Sequence, residues 1–306
     1  MNLRRHLLLL AAGIAISCAA GAAPLSWGAL QKLPLPPPGQ HITYGSQPPQ
    51  FGELRLPSGA GPFPLMILIH GGCWQAEYDY VYITRLAAWL AGQGMATWTI
   101  EYRRIGDDGG GWPGTYLDVA SAADKVRALA KSAPIDLNRI YAGGHSAGGQ
   151  LALWLAARGK LPPGSELAAR DPLKIRGVLG LAAITDLEQY RIGPPDSCHA
   201  SVDPLMGGAP DGLHARYAEA SPRSLLPLGV PQVFVQGDAD PIVPPASVHA
   251  YVQAALAAGD PAVEVPIAGA GHFDTAVPIP ASEPALLTAL HTLRLKAGDS
   301  DKAAAH

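Results

Sequence analysis

The chain has 306 residues, of which 48% are hydrophobic and 15% charged, and its formal net charge is -3 at pH 7. This length suits one large α/β domain with a substantial core, because domains of that class commonly exceed the usual single-domain size. No basic run and no interleaving of basic with aromatic residues occurs, which argues against nucleic acid as a partner.

The first 22 residues have the order of a secretory signal peptide. Arg4 and Arg5 precede an apolar run over residues 7–16, and small residues follow. The sequence therefore predicts export to the periplasm or beyond, with a mature chain that begins at Ala23. The apolar run is too short for a permanent membrane span. The alternative is a lipid anchor on Cys18, although alanine stands three residues before it, where leucine is preferred.

The rest of the chain alternates predicted strands with predicted helices. An extended proline-rich arm over residues 23–40 leads into a main domain over residues 41–297, and a disordered tail follows over residues 298–306. Strands are expected at residues 41–44, 51–56, 65–69, 96–102, 139–143, 231–236 and 263–267, and helices at 80–91, 116–129 and 150–157. This alternation predicts an α/β fold with a mostly parallel central sheet and helices on both faces.

Residues 186–227 interrupt this alternation with a mixture of proline, glycine, histidine and short apolar clusters. Active sites of such folds lie at the carboxyl ends of the strands, so an insertion after a strand is expected over the pocket. We interpret it as a small lid or wall that shapes substrate choice. The alternative is a surface loop with no role at the site, which the length of the segment disfavours.

The sequence Gly-His-Ser-Ala-Gly at residues 144–148 stands between a predicted strand and a predicted helix. This order is typical of the nucleophile elbow, a turn so tight that its serine has a strained backbone and its flanking positions must be glycine. A serine hydroxyl is a weak nucleophile until a base takes its proton. Ser146 is therefore the candidate nucleophile, and a histidine must reach it.

A second glycine-containing loop, His-Gly-Gly-Cys-Trp at residues 70–74, follows the buried strand over residues 65–69. Such a loop offers backbone N–H groups that can stabilise a developing oxyanion. The expected donors are the N–H of Ala147 and a second N–H from Gly72 or Cys73, and the sequence leaves that choice open.

The base and the acid are expected in two later loops. Among ten histidines, only His272 follows a late strand in a glycine-rich loop, where this arrangement places its base. Asp238 and Asp240, just after the strand over residues 231–236, are the candidates for the acid that orients the histidine. The chain order serine, acid, histidine distinguishes the α/β-hydrolase arrangement from other serine triads.

Five segments between about Leu65 and Phe273 together carry a family resemblance. They are His-Gly-Gly-Cys-Trp at 70–74, Glu-Tyr-Arg-Arg at 101–104, Gly-Gly-Trp-Pro-Gly at 110–114, Gly-His-Ser-Ala-Gly-Gly at 144–149 and Gly-Asp-Ala-Asp-Pro-Ile-Val-Pro at 237–244. With them the chain resembles α/β-hydrolase-fold serine hydrolases, in particular the bacterial kynurenine-formamidase-like and feruloyl- and acetyl-xylan-esterase-like group. The resemblance implies the α/β-hydrolase fold.

The resemblance also bears on single site residues. Relatives of this kind carry the acid three residues after the glycine at the strand end, which favours Asp240 over Asp238. Two positions depart from the pattern: Cys73 replaces the usual third glycine of the oxyanion loop, and Gln236 replaces a histidine before the strand-end glycine. The second departure concerns loop packing and removes no catalytic atom.

Cysteines and tryptophans supply the remaining candidates. Once the signal peptide is removed, Cys73 and Cys198 remain, and the sequence allows either a disulfide between them or two buried free thiols. Trp74 and Trp112, in predicted loops on the active-site side, are the candidates for substrate contact, whereas the other aromatic residues are interpreted as packing.

The sequence thus predicts an exported serine hydrolase that cleaves small carboxylic esters through Ser146, His272 and Asp240, with no metal and no organic cofactor. Its expected partner is a small-molecule ester, and the sequence does not give an oligomeric state. Three alternatives stay open. They are an amide-type hydrolase similar to arylformamidases, a prolyl-oligopeptidase-like peptidase and a non-catalytic binding module of the same fold.

Overall fold

The structure is a computed structural model that describes residues 23–195 and 197–299. The predicted signal peptide lies outside the described residues, as does most of the predicted tail over residues 298–306. The described residues contain one sheet of eight strands: β1 (Gln40–Thr43), β2 (Phe51–Arg55), β3 (Phe63–Ile69), β4 (Ala96–Ile100), β5 (Ile135–His145), β6 (Val178–Leu181), β7 (Gln232–Gly237) and β8 (Ala262–Ile267).

The strand order across the sheet is β1-β2-β4-β3-β5-β6-β7-β8. Strand β2 pairs antiparallel with β1 and with β4, and every other neighbouring pair is parallel. The parallel strands therefore end at the same edge of the sheet, and the loops that follow β3, β5, β7 and β8 meet there. The prediction of a mostly parallel α/β sheet is confirmed.

Ten helices accompany this sheet within the described residues. They are α1 (Trp27–Gln31), α2 (Thr84–Gly92), α3 (Gly114–Asp124), α4 (Val126–Leu129), α5 (Ala147–Ala157), α6 (Leu187–Tyr190), α7 (Val202–Met206), α8 (His214–Ala220), α9 (Pro245–Ala257) and α10 (Glu283–Lys296). No helix in this part of the chain has the length and the apolar character that crossing a membrane requires.

Two hydrophobic clusters cover the two faces of the sheet. Side chains of a strand alternate between faces, so Leu65, Ile67 and Ile69 of β3 join one cluster, whereas Met66 and Leu68 join the other. The first cluster contains residues of α3, α5 and α9, and the second contains residues of α1, α2 and α10. All five of these side chains are buried, which explains why residues 65–69 form a continuous apolar run.

The N-terminal arm differs from the sequence-based expectation, and the insertion is made of short helices. The arm over residues 23–40 was expected to be extended, but it contains the helix α1, whose N-terminus is capped by Ser26 and whose Leu30 is fully buried. A helix of five residues is too short to leave a periodic pattern, and its position depends on tertiary packing. The insertion over residues 186–227 contains α6, α7 and α8 and lies between β6 and β7 in the chain.

Candidate active site

Ser146 lies in the turn between β5 and α5. Its backbone has φ 56° and ψ -120°, a conformation that costs a residue with a side chain about 1–3 kcal/mol. The neighbouring glycines permit this turn: a Cβ on Gly148 would lie 2.2 Å from the carbonyl oxygen of Ile69, and one on Gly144 would lie 2.1 Å from that of Gly148. The turn therefore has the geometry of a nucleophile elbow at the carboxyl edge of the sheet.

His272 and Asp240 form a buried hydrogen-bonded pair. Asp240 follows the end of β7 by three residues, and its Oδ2 lies 2.8 Å from Nδ1 of His272 in the loop after β8. Its Oδ1 accepts the backbone N–H groups of Ile242 at 2.8 Å and Val243 at 3.0 Å. Both oxygens of the carboxylate are therefore held, and Nε2 is the ring nitrogen of His272 left for chemistry.

The environment of Asp240 favours its ionised form. Burial by itself raises the pKa of this carboxyl, but the hydrogen bond and charge of His272, together with the two backbone N–H groups, hold the pKa below its ordinary value. An ionised Asp240 can orient the imidazole and stabilise its protonated form. Asp238 has another position, because its exposed Oδ1 accepts the N–H of Gly269 at 2.6 Å.

The loop after β3 presents backbone N–H groups beside Ser146. The N–H of Gly71 is occupied, since it donates to the hydroxyl of Tyr82 at 2.7 Å. The next two residues have left-handed backbones, with φ 102° at Gly72 and 54° at Cys73. Across the described residues neither of their N–H groups has a hydrogen-bond acceptor. They can serve an oxyanion together with the N–H of Ala147, the first of α5.

A buried cluster of His70, Glu101 and Arg104 supports this loop. Nε2 of His70 lies 2.8 Å from Oε1 of Glu101, and its Nδ1 lies 2.7 Å from the carbonyl oxygen of Gly71. Arg104 approaches the same carboxylate at 3.2 Å. Burial raises the pKa of Glu101, but the charge and hydrogen bond of His70, the charge of Arg104 and the backbone N–H of Tyr102 outweigh it and lower the pKa. An ionised Glu101 thus fixes the residue that begins the loop.

His145 supports the other side of the site. Its Nδ1 lies 2.8 Å from the hydroxyl of Tyr82, and its Nε2 lies 3.1 Å from the carbonyl oxygen of His272. Burial, and after it the charge of His272, lowers the pKa of His145 to about 3. His145 is therefore neutral at physiological pH. It connects the elbow to the loop after β3, through Tyr82, and to the loop that carries His272.

These elements enclose a cavity of about 160 Å³ that contains the side chains of Ser146 and His272. The other lining residues are largely apolar or aromatic: Trp27, Gly72, Cys73, Tyr78, Tyr82, His145, Cys198, Ile242 and Phe273. A larger cleft of about 630 Å³ adjoins it and shares Cys73, Tyr78, Cys198 and Ile242 as a common wall. The site therefore consists of a small inner cavity and a wide outer cleft.

The common wall includes a disulfide. The structure joins Cys73 to Cys198, with the two Cα atoms 5.0 Å apart. This bond ties the oxyanion loop to the insertion, and it decides between the two states that the sequence left open. Within the described residues, no group of three or more histidine, cysteine, aspartate or glutamate side chains is arranged to hold a metal ion.

The two tryptophans that the sequence suggested for substrate contact do not line this cavity. Trp74 is fully buried, and its indole N–H donates to Oε1 of Gln150 at 3.2 Å. Trp112 lies outside the cavity, where its indole N–H donates to Glu166 at 3.1 Å and its ring contacts Arg216. The left-handed backbone at Trp74, φ 56°, turns this side chain into the core, and the sequence carries no signal of that turn.

The sequence-based site assignment also omitted four aromatic residues of the cavity: Trp27, Tyr78, Tyr82 and Phe273. Phe273 adjoins His272 in the chain, and this adjacency was the available signal. Trp27 comes from the N-terminal arm, far from every motif in the sequence, so only the fold could bring it to the site.

Comparison with known proteins identifies the family. A family model described as BD-FAE matches residues 53–254, about two thirds of the chain. Esterase LipC of Mycobacterium tuberculosis is 29% identical over 184 residues, which are 58% of this chain and 36% of that protein. The matched segment thus spans little more than a third of that relative.

Two solved structures share the fold. The esterase Est2 of Thermogutta terrifontis superposes with a TM-score of 0.69 at 21% identity, covering 88% of this chain and 96% of that one. A truncated carbohydrate esterase from gut microbiota superposes with a TM-score of 0.72 at 19% identity, covering 86% and 97% respectively. The family match shows that the chain belongs to the BD-FAE family, and its fold is the α/β-hydrolase fold of these two solved structures.

Proposed function

We propose that this protein is an exported serine hydrolase that cleaves small carboxylic esters with Ser146, His272 and Asp240. One observation carries the proposal: a serine on a strained elbow and a histidine paired with a buried carboxylate line the same small cavity. Uncommitted backbone N–H groups beside the serine add the third component that ester hydrolysis needs.

The reaction follows from these positions. Nε2 of His272 takes the proton of Ser146 while Oγ bonds to the ester carbonyl carbon, and the N–H groups of Ala147 and of Gly72 or Cys73 bind the oxyanion. The C–O bond to the alcohol then breaks, and His272 gives its proton to the leaving oxygen. Water, deprotonated by His272, attacks the acyl-enzyme and releases the carboxylic acid and free Ser146. Each oxyanion donor contributes about 3 kcal/mol.

The names of the similar proteins favour esters over amides, and the small volume of the cavity disfavours peptides. LipC is named an esterase, and Est2 of T. terrifontis has been described with propionate and with butyrate bound, phosphorylated by paraoxon and phosphonylated by sarin. An amide-type hydrolase similar to arylformamidases would use the same groups and is the second candidate. A peptidase of the prolyl-oligopeptidase type is less well supported, because a cavity of about 160 Å³ is small for a peptide.

Export is part of the proposal and rests on the first 22 residues, with Arg4 and Arg5 before an apolar run. The disulfide between Cys73 and Cys198 supports it, because disulfides persist in oxidising compartments and are rare inside bacterial cells. Expression with the native N-terminus, cell fractionation and mass spectrometry of the N-terminal peptide test it. A chain that begins at Ala23 in the periplasm or medium supports export, whereas acylation at Cys18 supports the lipid anchor.

The mechanism is tested by a fluorophosphonate probe, which forms a stable bond with an activated serine. We expect labelling at Ser146 alone, turnover of p-nitrophenyl acetate, and slower turnover of N-formylkynurenine. Ser146→Ala is expected to lose the label and to lower kcat by roughly 10⁶-fold, as nucleophile removal does in serine hydrolases. A folded wild-type protein that neither reacts with the probe nor hydrolyses either substrate would contradict the mechanism and favour the non-catalytic binding module.

A further inference from the structure

The N-terminal arm supplies a wall of the catalytic cavity. Trp27, the first residue of α1, lines the same cavity as Ser146 and His272. Its ring centroid lies 5.5 Å from those of Tyr78, Tyr82 and Phe273. Tyr82 accepts the N–H of Gly71 in the loop after β3, and Phe273 follows His272 in the chain, so Trp27 packs against residues on both sides of the cavity.

The arm is fixed in this position at both ends. Before α1, the N–H of Leu25 donates to Oδ2 of Asp274 at 2.9 Å, and the same oxygen accepts the N–H of Gly271 at 2.9 Å. After α1, Arg85 donates to the carbonyl oxygens of Leu33 and Pro34. The first contact joins the arm to the loop that carries His272.

The helix α1 has little stability of its own and is held by what it packs against. Five residues are far fewer than an isolated helix needs in water. Leu30 is fully buried, and Leu25, Trp27 and Leu33 pack on the same cluster as α2 and α10. None of these residues belongs to the sheet, and among them Trp27 is the one that lines the cavity.

The cavity that this arm closes is small. Its volume of about 160 Å³ lies below the 300–1,000 Å³ of ordinary small-molecule sites, whereas the adjoining cleft of about 630 Å³ lies within that range. The inner cavity is mainly apolar and contains Ser146. The outer cleft carries the polar side chains of Gln75, Glu77 and Ser201.

From this division we propose that Trp27 is a specificity-determining residue that limits the length of the acyl group. The acyl chain lies in the inner cavity against Trp27 and Phe273, and the alcohol occupies the outer cleft. The inference rests on the proposed esterase function and adds to it the substrate class: esters of short acyl chains with larger, polar alcohols.

The test compares kcat/KM for p-nitrophenyl acetate and p-nitrophenyl octanoate in the wild type, Trp27→Ala and Trp27→Phe. Each methylene group buried in a newly opened cavity favours the longer ester by about fourfold. We therefore expect Trp27→Ala to raise the octanoate-to-acetate ratio at least tenfold. Trp27→Phe keeps a smaller ring and is expected to raise the ratio by about threefold, so it serves as the measurement if Trp27→Ala does not fold.

Trp89 provides a matched control. Its half-buried ring packs on the same hydrophobic cluster, but its indole N–H donates to Glu283 and it does not line the cavity. Trp89→Ala should leave the octanoate-to-acetate ratio within twofold of the wild type. A series of acetate esters with larger alcohols, measured on the same variants, separates the acyl side from the alcohol side.

Three results would overturn the inference: an unchanged ratio in folded Trp27→Ala, an equal change in Trp89→Ala, or a change confined to the alcohol series. Fluorophosphonate labelling is run in parallel on every variant. If the wild type is neither labelled nor active, the proposed function itself has failed. If Trp27→Ala is labelled at Ser146 and its ratio is unchanged, only the role of Trp27 has failed.

Discussion

Two aspartates only two positions apart have different environments in the loop after β7. Asp240 is buried and accepts hydrogen bonds from His272 and from two backbone N–H groups. Asp238 is exposed and holds the neighbouring loop through Gly269. Sequence alone favoured Asp240 through the family resemblance, whereas the contacts give the physical reason: only Asp240 reaches the imidazole.

These two residues make a matched pair for the first test. Asp240→Asn should lower kcat by roughly 10⁴-fold, because an amide can stabilise the wrong tautomer of His272 and cannot stabilise its charged form. Asp238→Asn keeps an acceptor for the N–H of Gly269 and should leave kcat within about twofold. Steady-state hydrolysis of p-nitrophenyl acetate measures both. A larger loss in Asp238→Asn than in Asp240→Asn would show that the acid has been assigned to the wrong residue.

At the scale of elements, the insertion between β6 and β7 is connected to the site by one covalent bond. The bond between Cys73 and Cys198 joins residues 125 positions apart, and both cysteines form part of the wall between the inner cavity and the outer cleft. Through Cys198 the insertion therefore contributes to the wall of both the inner cavity and the outer cleft.

Removal of this disulfide should destabilise the protein. In the chain-entropy account, a cross-link that closes a loop of about 100 residues stabilises the folded state by roughly 4–5 kcal/mol, with smaller values where strain intervenes. The double variant Cys73→Ser and Cys198→Ser should lose about 2–5 kcal/mol in the free energy of unfolding, measured by urea denaturation. Dithiothreitol should shift the wild-type midpoint and leave that of the double variant unchanged. A wild-type midpoint that does not respond to dithiothreitol would contradict this.

Features that depend on residues close together in the chain could be predicted from the sequence, whereas features that depend on contacts between distant residues could not. Strands β3, β4 and β7 were predicted close to their observed bounds, because buried parallel strands read as apolar runs. Ser146, His272 and Asp240 were placed by loop motifs that adjoin strand ends. The helix α1 was not predicted, since its five residues depend on contacts with the base loop and with Arg85. The positions of Trp74 and Trp112 outside the cavity could not be predicted for the same reason, since backbone turns and distant packing decide where an indole lies.

At the scale of the whole molecule, buried ionisable groups tie stability to pH in two ranges that begin at different pH values and overlap below pH 4.5. Burial lowers the pKa of His145 from 6.5 to about 3, so between these values the unfolded chain binds a proton that the folded chain does not. Glu101 and Asp240 have pKa values below their ordinary 4.5 and 3.8, and their contributions are present above those values and lost as the pH falls further. As the pH falls, the stability lost through His145 therefore begins at a higher pH than the stability lost through Glu101 and Asp240.

We expect the free energy of unfolding to fall as the pH drops below 6.5, with His145 contributing up to about 1.4 kcal/mol per pH unit. His145→Asn has no proton to bind, so its stability should vary less with pH than that of the wild type between pH 6.5 and 5. Glu101→Gln should keep the wild-type slope in that range and lose slope only below pH 4.5. Urea denaturation at half-unit pH steps measures all three proteins. Parallel curves for the wild type and His145→Asn above pH 5 would show that the folded protein protonates His145 as readily as the unfolded chain does.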